Sequence, residues 1–403
     1  MKAVHGYRSE NWWVSPYNFK NEIRKRWNLP STIQIHDATL RDGEQTPGVV
    51  LRKDEKVKIA VKLSEVGIHR IEAGMPVVST EDREAIKEIR KMRLPSKIFG
   101  FVRAREEDIV AAADCEVDGI IIEVPISKPK LEYQFNWPVE RAIEESVKSI
   151  SKAKEMGLYT VFFPFDTTRA EEEDLVKLLT ELKKVNILPD SIAVVDTMGC
   201  ALPESMEYIV TLIKSLWDVP VEVHTHNDFG LAVANSIAAL KAGAEVIHCC
   251  VNGMGERTGN CSTEEVVTVI TLLMGIDIGI DLSKLQELSD LVRETTGFAI
   301  PPNKPIVGAE IFSRESGIGA DVIFKAPLAM FALNPAFLKK SPKLLLGKKS
   351  GMASINFKLK EYGIELDEDK KRLLLEDVKR AGIEKKRSLT DEEFLILVEK
   401  YRG

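Results

Sequence analysis

The sequence is poor in cysteine, histidine and long apolar runs. Its five cysteines, Cys115, Cys200, Cys249, Cys250 and Cys261, form an odd set without CxxC spacing, which argues against a disulfide framework or a thiolate zinc site. No apolar stretch approaches the roughly 20 residues that a bilayer-spanning helix requires. The start, MKAVHGYRSENWW, lacks the apolar core of a signal peptide, and together with reduced cysteines this points to the cytoplasm. Positive charge is not in excess. The 56 Lys and Arg face 62 Asp and Glu, giving a net charge of −6. The signs are interspersed, so neither nucleic acid nor an anionic membrane finds a basic stripe, and small molecules are the expected partners. Abundant Lys and Glu with only four Gln lean toward a thermophile.

What is present is a rhythm. From about residue 33 to 278, eight short apolar runs alternate with longer amphipathic ones: 33–40, 69–76, 97–103, 119–125, 159–166, 191–199, 221–228 and 245–253. Near-continuous apolar strands suit a parallel sheet covered by helices on its outer face. An open doubly wound sheet would carry a phosphate-binding GxGxxG turn after its first strand, and none is there. The pattern predicts an α/β fold, a (β/α)8 TIM barrel over residues 31–280. Residues 1–30, with Trp12, Trp13, Tyr17 and Trp27, read as an N-terminal cap docked on the barrel. Residues 281–403, opened by the Pro-rich AIPPNKPIVG, read as a linker and a small helical C-terminal module. The apolar stripe Phe394, Leu395 and Leu397 needs a cover, which favours a homodimer.

In such barrels, reactive groups stand at the carboxyl ends of the strands. His224 and His226, two of only six histidines, are spaced i, i+2 at the end of the seventh run. They point the same way with backbones roughly 6.6 Å apart, close enough to share an ion. Arg41, Asp42, Glu44 and Gln45 crowd the turn after the first run. Closure of the ring makes runs seven, eight and one neighbours, so Asp42 can join the histidines. The glycine-rich NGMGERTGN after run eight then contributes Asn260 as an oxygen donor. Imidazole and oxygen ligands suit Mg²⁺, Mn²⁺ or Zn²⁺ alike. Arg41, permanently charged, is placed to stabilise developing enolate or alkoxide charge. Glu72 is expected as a buried carboxylate facing it. Thr197 either receives a substrate carboxylate or caps the helix that follows. Arg103, Arg105, Ser127, Lys128 and Lys130 leave runs three and four and can receive a second carboxylate or coenzyme A phosphates. The four bases among them, Arg103, Arg105, Lys128 and Lys130, lean toward an acidic substrate, against the alternative of solvated loop charges.

LRDGEQ, HTHND and NGMGERTGN, in that order, resemble the DRE-TIM metallolyases, which include isopropylmalate, homocitrate, citramalate and Re-type citrate synthases and 3-hydroxy-3-methylglutaryl-CoA lyase. The resemblance covers about residues 31 to 365, because IVGAEIFSRESG and LLLGKKSG look like the linker of the synthase branch. It implies that Asp42, His224, His226 and Asn260 bind a divalent metal, that Arg41 contacts the substrate carbonyl, that Gln45 and Glu72 line the pocket, and that Thr197 holds the carboxylate of a 2-oxo acid. It also implies a Claisen-type condensation with acetyl-CoA. The alternative is a metal-dependent carbon–carbon lyase, disfavoured by the linker motifs. A non-catalytic sensing barrel is disfavoured by retention of the whole ligand set. The chain departs from the branch in three places. Phe163 and Phe165 stand where a Ser-x-Glu is usual, Gly319 replaces the histidine of ESGIH, and Lys349 replaces that of LGKHSG. Lys349, if desolvated, would serve as a base; Cys250 is a weaker candidate. A further effector-binding domain, with its end-product inhibition, is not expected.

Overall fold

Eight apolar runs become eight parallel strands of one closed barrel, the last pairing back to the first. They are β1 Gln34–Asp37, β2 Arg70–Glu72, β3 Lys97–Arg103, β4 Gly119–Pro125, β5 Tyr159–Phe165, β6 Ser191–Asp196, β7 Val221–Thr225 and β8 Val246–Cys249. The computed structural model describes residues 6–317 and 319–402. The strands are shorter than the runs in the sequence at several carboxyl ends, because Thr39, Leu40 and Asp228 already belong to turns. Among the described residues, no helix is long and apolar enough to cross a membrane.

Side chains alternate between the barrel interior and the helical layer. Helix Lys53–Val66 buries Ile59, Ala60, Leu63 and Val66. Val57 and Val61, equally apolar in sequence, are only half-buried. The helix ends on Gly67 at φ 99°, a left-handed position that favours glycine. On the inner side, the register aligns Phe99 with Gly119 and Phe101 with Ile121. Phe99, Phe101, Ile121, Val161, Phe163, Phe165, Ala193 and Val195 pack there as one cluster. The other half of the interior is polar. Glu222 accepts from Arg70 at 2.8 Å and Ser191 at 2.7 Å, and pairs with His248 at 2.7 Å. His248 stacks on His36 with ring centroids 4.3 Å apart.

The chain divides into two units, Ser15–Ile300 around the barrel, and Tyr7–Val14 with the residues from Pro301 onward. Helix Leu285–Thr296, assigned by the sequence to the module after residue 280, belongs to the barrel unit. Its Ser289 carbonyl accepts from Asn252 Nδ2 at 3.1 Å, and Glu287 meets Lys62 at 2.7 Å. The expected cap over 1–30 is likewise split, its first five residues lying outside those described. From Ser15 on it goes with the barrel, whereas Trp13 N–H donates to Ala332 O at 2.9 Å and Trp12 lies 6.0 Å from the Phe337 ring. In the second unit, helices Met352–Glu361, Glu368–Lys385 and Asp391–Glu399 enclose a core of Leu346, Ile355, Leu359, Ile364, Leu374, Leu389 and Phe394. Phe394 is fully buried, and Leu395 and Leu397 pack against the same core. The stripe from which a homodimer was expected is therefore covered within its own unit.

Gly119 is the tightest point of the inner wall, since a Cβ there would lie 2.6 Å from the Phe99 ring and 2.8 Å from the Tyr159 carbonyl. Gly119→Ala is expected to lower the unfolding free energy by about 1–3 kcal/mol through overpacking. Urea denaturation followed by circular dichroism checks this, and a variant as stable as the parent would contradict the packing described.

Candidate active site

Closure of the barrel brings the ends of β7, β8 and β1 together. The loop after β8 folds back on β7: Cys261 N–H donates to Thr225 O and Asn227 N–H to Gly259 O, both at 3.0 Å. That return places Asn260 beside His226, its partner in an isolated bridge. The imidazole Nε2 atoms of His224 and His226 are 3.3 Å apart and lie 3.1 and 3.6 Å from Asp42 Oδ2. All three residues are buried. Gly255 closes the cradle: a Cβ there would sit 2.1 Å from Asn260 Nδ2 and 3.4 Å from Asp42 Oδ1.

The donor chemistry of this group fits a divalent cation. Asp42 Oδ1 and Asn260 Oδ1 are buried acceptors with no partner, an arrangement costly unless something satisfies them. Asn260 Nδ2 is fixed on Met254 O at 3.0 Å, which turns its oxygen the other way. Burial would raise the Asp42 pKa, but Arg41 and the two imidazoles outweigh it and hold the carboxyl well below its ordinary range. Burial lowers both histidines, His226 to about 4, so at neutral pH they are uncharged and carry the lone pair a metal requires.

Arg41 stands next to this cradle. Its Nε donates to Glu72 Oε1, and Nη1 lies 3.7 Å from Asp42 Oδ2 and 3.2 Å from Gln45 Oε1. The guanidinium carbon lies 4.0 Å from the centroid of Phe101. Arg41 Nη2 is buried and unpartnered, leaving one charged donor free. Glu72 is fully buried. Burial opposes its ionisation, yet Arg41 and His36 bring its pKa down to about 2. A cavity of about 520 Å³ opens beside Arg41 and Gln45, lined also by Leu40, Val49, Leu51, Gly74 and Met75.

The structure thus brings together Arg41, Asp42, Gln45, Glu72, His224, His226 and Asn260. Thr197 is half-buried and its Oγ1 accepts from Asp166 N–H at 2.7 Å. The following helix, Pro203–Leu216, starts from Leu202, so Thr197 is not its cap. Four other expected residues are placed differently. Arg103 is committed to Asp108 through bonds of 2.7 and 2.9 Å, and Arg105 is exposed at the start of helix Glu106–Ala113. Lys128 is exposed beside Glu132 at 3.8 Å, and Lys130 donates to Gln134 at 2.9 Å. The lean toward an acidic substrate loses most of its basis, because these charges are already matched or solvated. Lys349 is exposed in the second unit, without the desolvation a lysine base requires. Gly319 has φ +74°, and a Cβ there would approach Met330 to 3.1 Å, so this backbone does not suit a side chain at that position. Cys250 is completely buried, which pushes its thiol well up and leaves it inert.

Three groups escaped the sequence reading. Arg257 pairs with Asp228 and donates to Thr197 O at 2.6 Å, tying the loop after β8 to the end of β6. His36 lies 3.3 Å from Glu72 Oε2. Glu123 interrupts the apolar run GIIIEVP and is half-buried at the mouth. An acid inside an apolar strand was the available signal for the last of these.

The HMGL-like family model matches residues 32–292, and the model described as homocitrate synthase post-HMGL domain-like matches 306–386. The homocitrate synthase AksA of Methanothermobacter thermautotrophicus is 39% identical over 97% of this chain and 98% of its own length. The 2-isopropylmalate synthase of Methanocaldococcus jannaschii is 41% identical over 96% of this chain and 76% of its own. Among solved structures, the HMG-CoA lyase of Bacillus subtilis superposes with a TM-score of 0.61 at 19% identity, over 68% of this chain and 96% of that one; this likeness concerns the barrel fold. The chain belongs to the HMGL-like, or DRE-TIM, family, in the acyltransferase branch that holds the homocitrate and isopropylmalate synthases.

Proposed function

We propose that this chain catalyses a divalent-metal-dependent, Claisen-type condensation of acetyl-CoA with a 2-oxo acid, giving a 2-hydroxy dicarboxylic or tricarboxylic acid and free coenzyme A. The observation that carries the reading is the convergence of Asp42 and two neutral histidines on one point, beside a half-buried arginine whose Nη2 is a buried, free donor. Asp42, His224, His226 and Asn260 would hold the ion, and Mg²⁺, Mn²⁺ and Zn²⁺ all suit such a donor set. When bound, a divalent ion supplies Lewis acidity toward the keto oxygen. Arg41 Nη2 donates to the same developing negative charge, and because Glu72 fixes the guanidinium beforehand, little reorganisation is required during the reaction. Thr197 Oγ1 keeps its own proton for the substrate carboxylate while accepting from Asp166 N–H. The cavity beside Arg41 and Gln45 gives room for the acyl thioester. The second unit favours condensation over cleavage, because it matches a model named for homocitrate synthase whereas the lyase superposition covers 68% of the chain. The reaction is read as cytoplasmic, with no nucleic-acid or membrane partner.

The decisive experiment supplies purified protein with Mg²⁺ or Mn²⁺, acetyl-CoA and a panel of 2-oxo acids, and follows free thiol and product mass. Thiol release dependent on a particular keto acid is expected. Cleavage of a 3-hydroxyacyl-CoA without any condensation would transfer the assignment to the lyase. Calorimetric titration with Mn²⁺ should show binding lost in Asp42→Ala. In Gly255→Ala, where the new methyl displaces Asn260, binding should weaken by about 10- to 100-fold, the range for groups that orient ligands. Arg41→Gln should still bind Mn²⁺ but lose about 10²- to 10³-fold in kcat, the usual cost of removing a charge-stabilising donor. Unchanged turnover in that variant would remove Arg41 from the chemistry.

A further inference from the structure

The condensation needs a base for the methyl group of the acyl thioester, and the group best placed to act as one is on β4. The register aligns Glu123 with Arg103 on one side and Phe163 on the other. It shares a face with Ile121, whose side chain packs with Phe101, Phe163 and Phe165 inside the barrel. Glu123 therefore projects into the interior, two residues nearer the carboxyl end than Ile121, at the level of Arg103 and Phe163.

The neighbouring buried or half-buried carboxylates at this end are engaged. Glu72 binds Arg41 and His36, Asp108 binds Arg103, Asp166 binds Ser127 and Arg169, and Asp196 accepts from Thr168 and Cys200 N–H. Glu123, by contrast, makes no hydrogen bond or ion pair with a described residue. The charged groups facing it are Arg41 after β1, Glu72 on β2, Arg103 on β3 and Lys130 after β4; on the β5 side its register neighbour is the apolar Phe163. Burial pushes its pKa up to about 7; Arg41, Lys130 and Arg103 pull it down, while Glu72 pushes it up. A group in that range is divided between base and acid at neutral pH, where general catalysis is most efficient.

We propose that Glu123 is the acid–base residue of the condensation, a role that rests on the reaction proposed above. Its carboxylate takes a proton from the carbon alpha to the thioester carbonyl. That C–H bond breaks, and its electron pair becomes the enolate. The enolate carbon bonds to the keto carbon, the carbonyl π pair moves to oxygen, and the carboxylic acid of Glu123 returns its proton to that oxygen. Water then hydrolyses the thioester. Nothing beyond acyl-CoA, 2-oxo acid and water is consumed.

The test compares full-length wild type, Glu123→Gln and Glu123→Asp, each loaded with Mn²⁺, by two readouts. One is thiol release with a 2-oxo acid. The other is exchange of the acetyl-CoA methyl protons into D₂O, followed by mass spectrometry. Glu123→Gln is expected to bind Mn²⁺ normally yet lose about 100- to 10,000-fold in both, the span of general base catalysis. The KM for the keto acid should change little. In the wild type, kcat/KM should rise with pH through about 7, because the base form is required; this limb should disappear in Glu123→Gln and persist in Glu123→Asp. Retention of exchange within about threefold in Glu123→Gln, or an unchanged limb, overturns the role of Glu123, as does a wild type that never exchanges. A wild type that exchanges methyl protons without condensing any keto acid refutes the condensation instead, and exchange in the variants still decides on Glu123.

Discussion

A guanidinium withdrawn from water must be met by negative charge, and Arg41 is met on two sides, by Glu72 and by Asp42. Much of the barrel mouth is arranged around that cation. Asp42 is held ionised by it, so the carboxylate the histidines converge on is an anion throughout the physiological range. Glu72 is ionised for the same reason, and its oxygens are divided between Arg41 and His36. The Phe101 ring closes one face of the guanidinium, a favourable contact for a planar cation. What remains open is Nη2, and the reacting oxygen is expected there.

The support continues down the interior. His36 stacks on His248, His248 pairs with Glu222, and Glu222 binds Arg70 and Ser191. Such a column is expensive compared with an apolar core, since each ion loses hydration and only good geometry offsets it. It gives position in return. Each member fixes the next, and the end of the column is the Glu72 carboxylate that orients Arg41. His36, Glu72 and His248 also come close enough together to resemble a second metal cluster, but Glu72 is engaged by Arg41 and His248 by Glu222, which accounts for them as a hydrogen-bonded support.

The barrel and the convergence of Asp42 with His224 and His226 were legible in the sequence because both follow from periodicity. A His-x-His pair points one way on any strand, and ring closure makes strands seven, eight and one neighbours whatever the loops do. Asp42 could be joined to His224 and His226 on that ground, and Asn260 entered through the glycine-rich loop after β8. Pairing partners were not legible. Nothing in the sequence required Arg103 to bind Asp108, five residues on, in place of a ligand, since that depends on how the turn after β3 enters its helix. The stripe at Phe394 failed for the same reason: an amphipathic helix announces that it will be covered, not by what. Helix Leu285–Thr296 lay beyond the eight-fold rhythm, yet it buries Leu285, Leu288 and Val292 in the barrel unit.

Glu123 was hidden by a different kind of ambiguity. An acid in GIIIEVP faces either the helical layer or the interior, and one residue of register separates the two outcomes. Once the register is known, what matters is the level at which a side chain stands, more than the strand that carries it. Adjacent strands are only about 4.8 Å apart, so a carboxylate on β4 reaches the volume beside β5 as well. Phe163 stands as an apolar neighbour beside the acid, and Arg103 is bonded to Asp108, not to Glu123. Glu72 and Glu123 both feel Arg41, yet one lies at about 2 and the other at about 7. The first is bonded to the cation and the second is not. Two carboxylates driven apart in this way divide the work between a permanent anion that orients and a titrating group that exchanges protons.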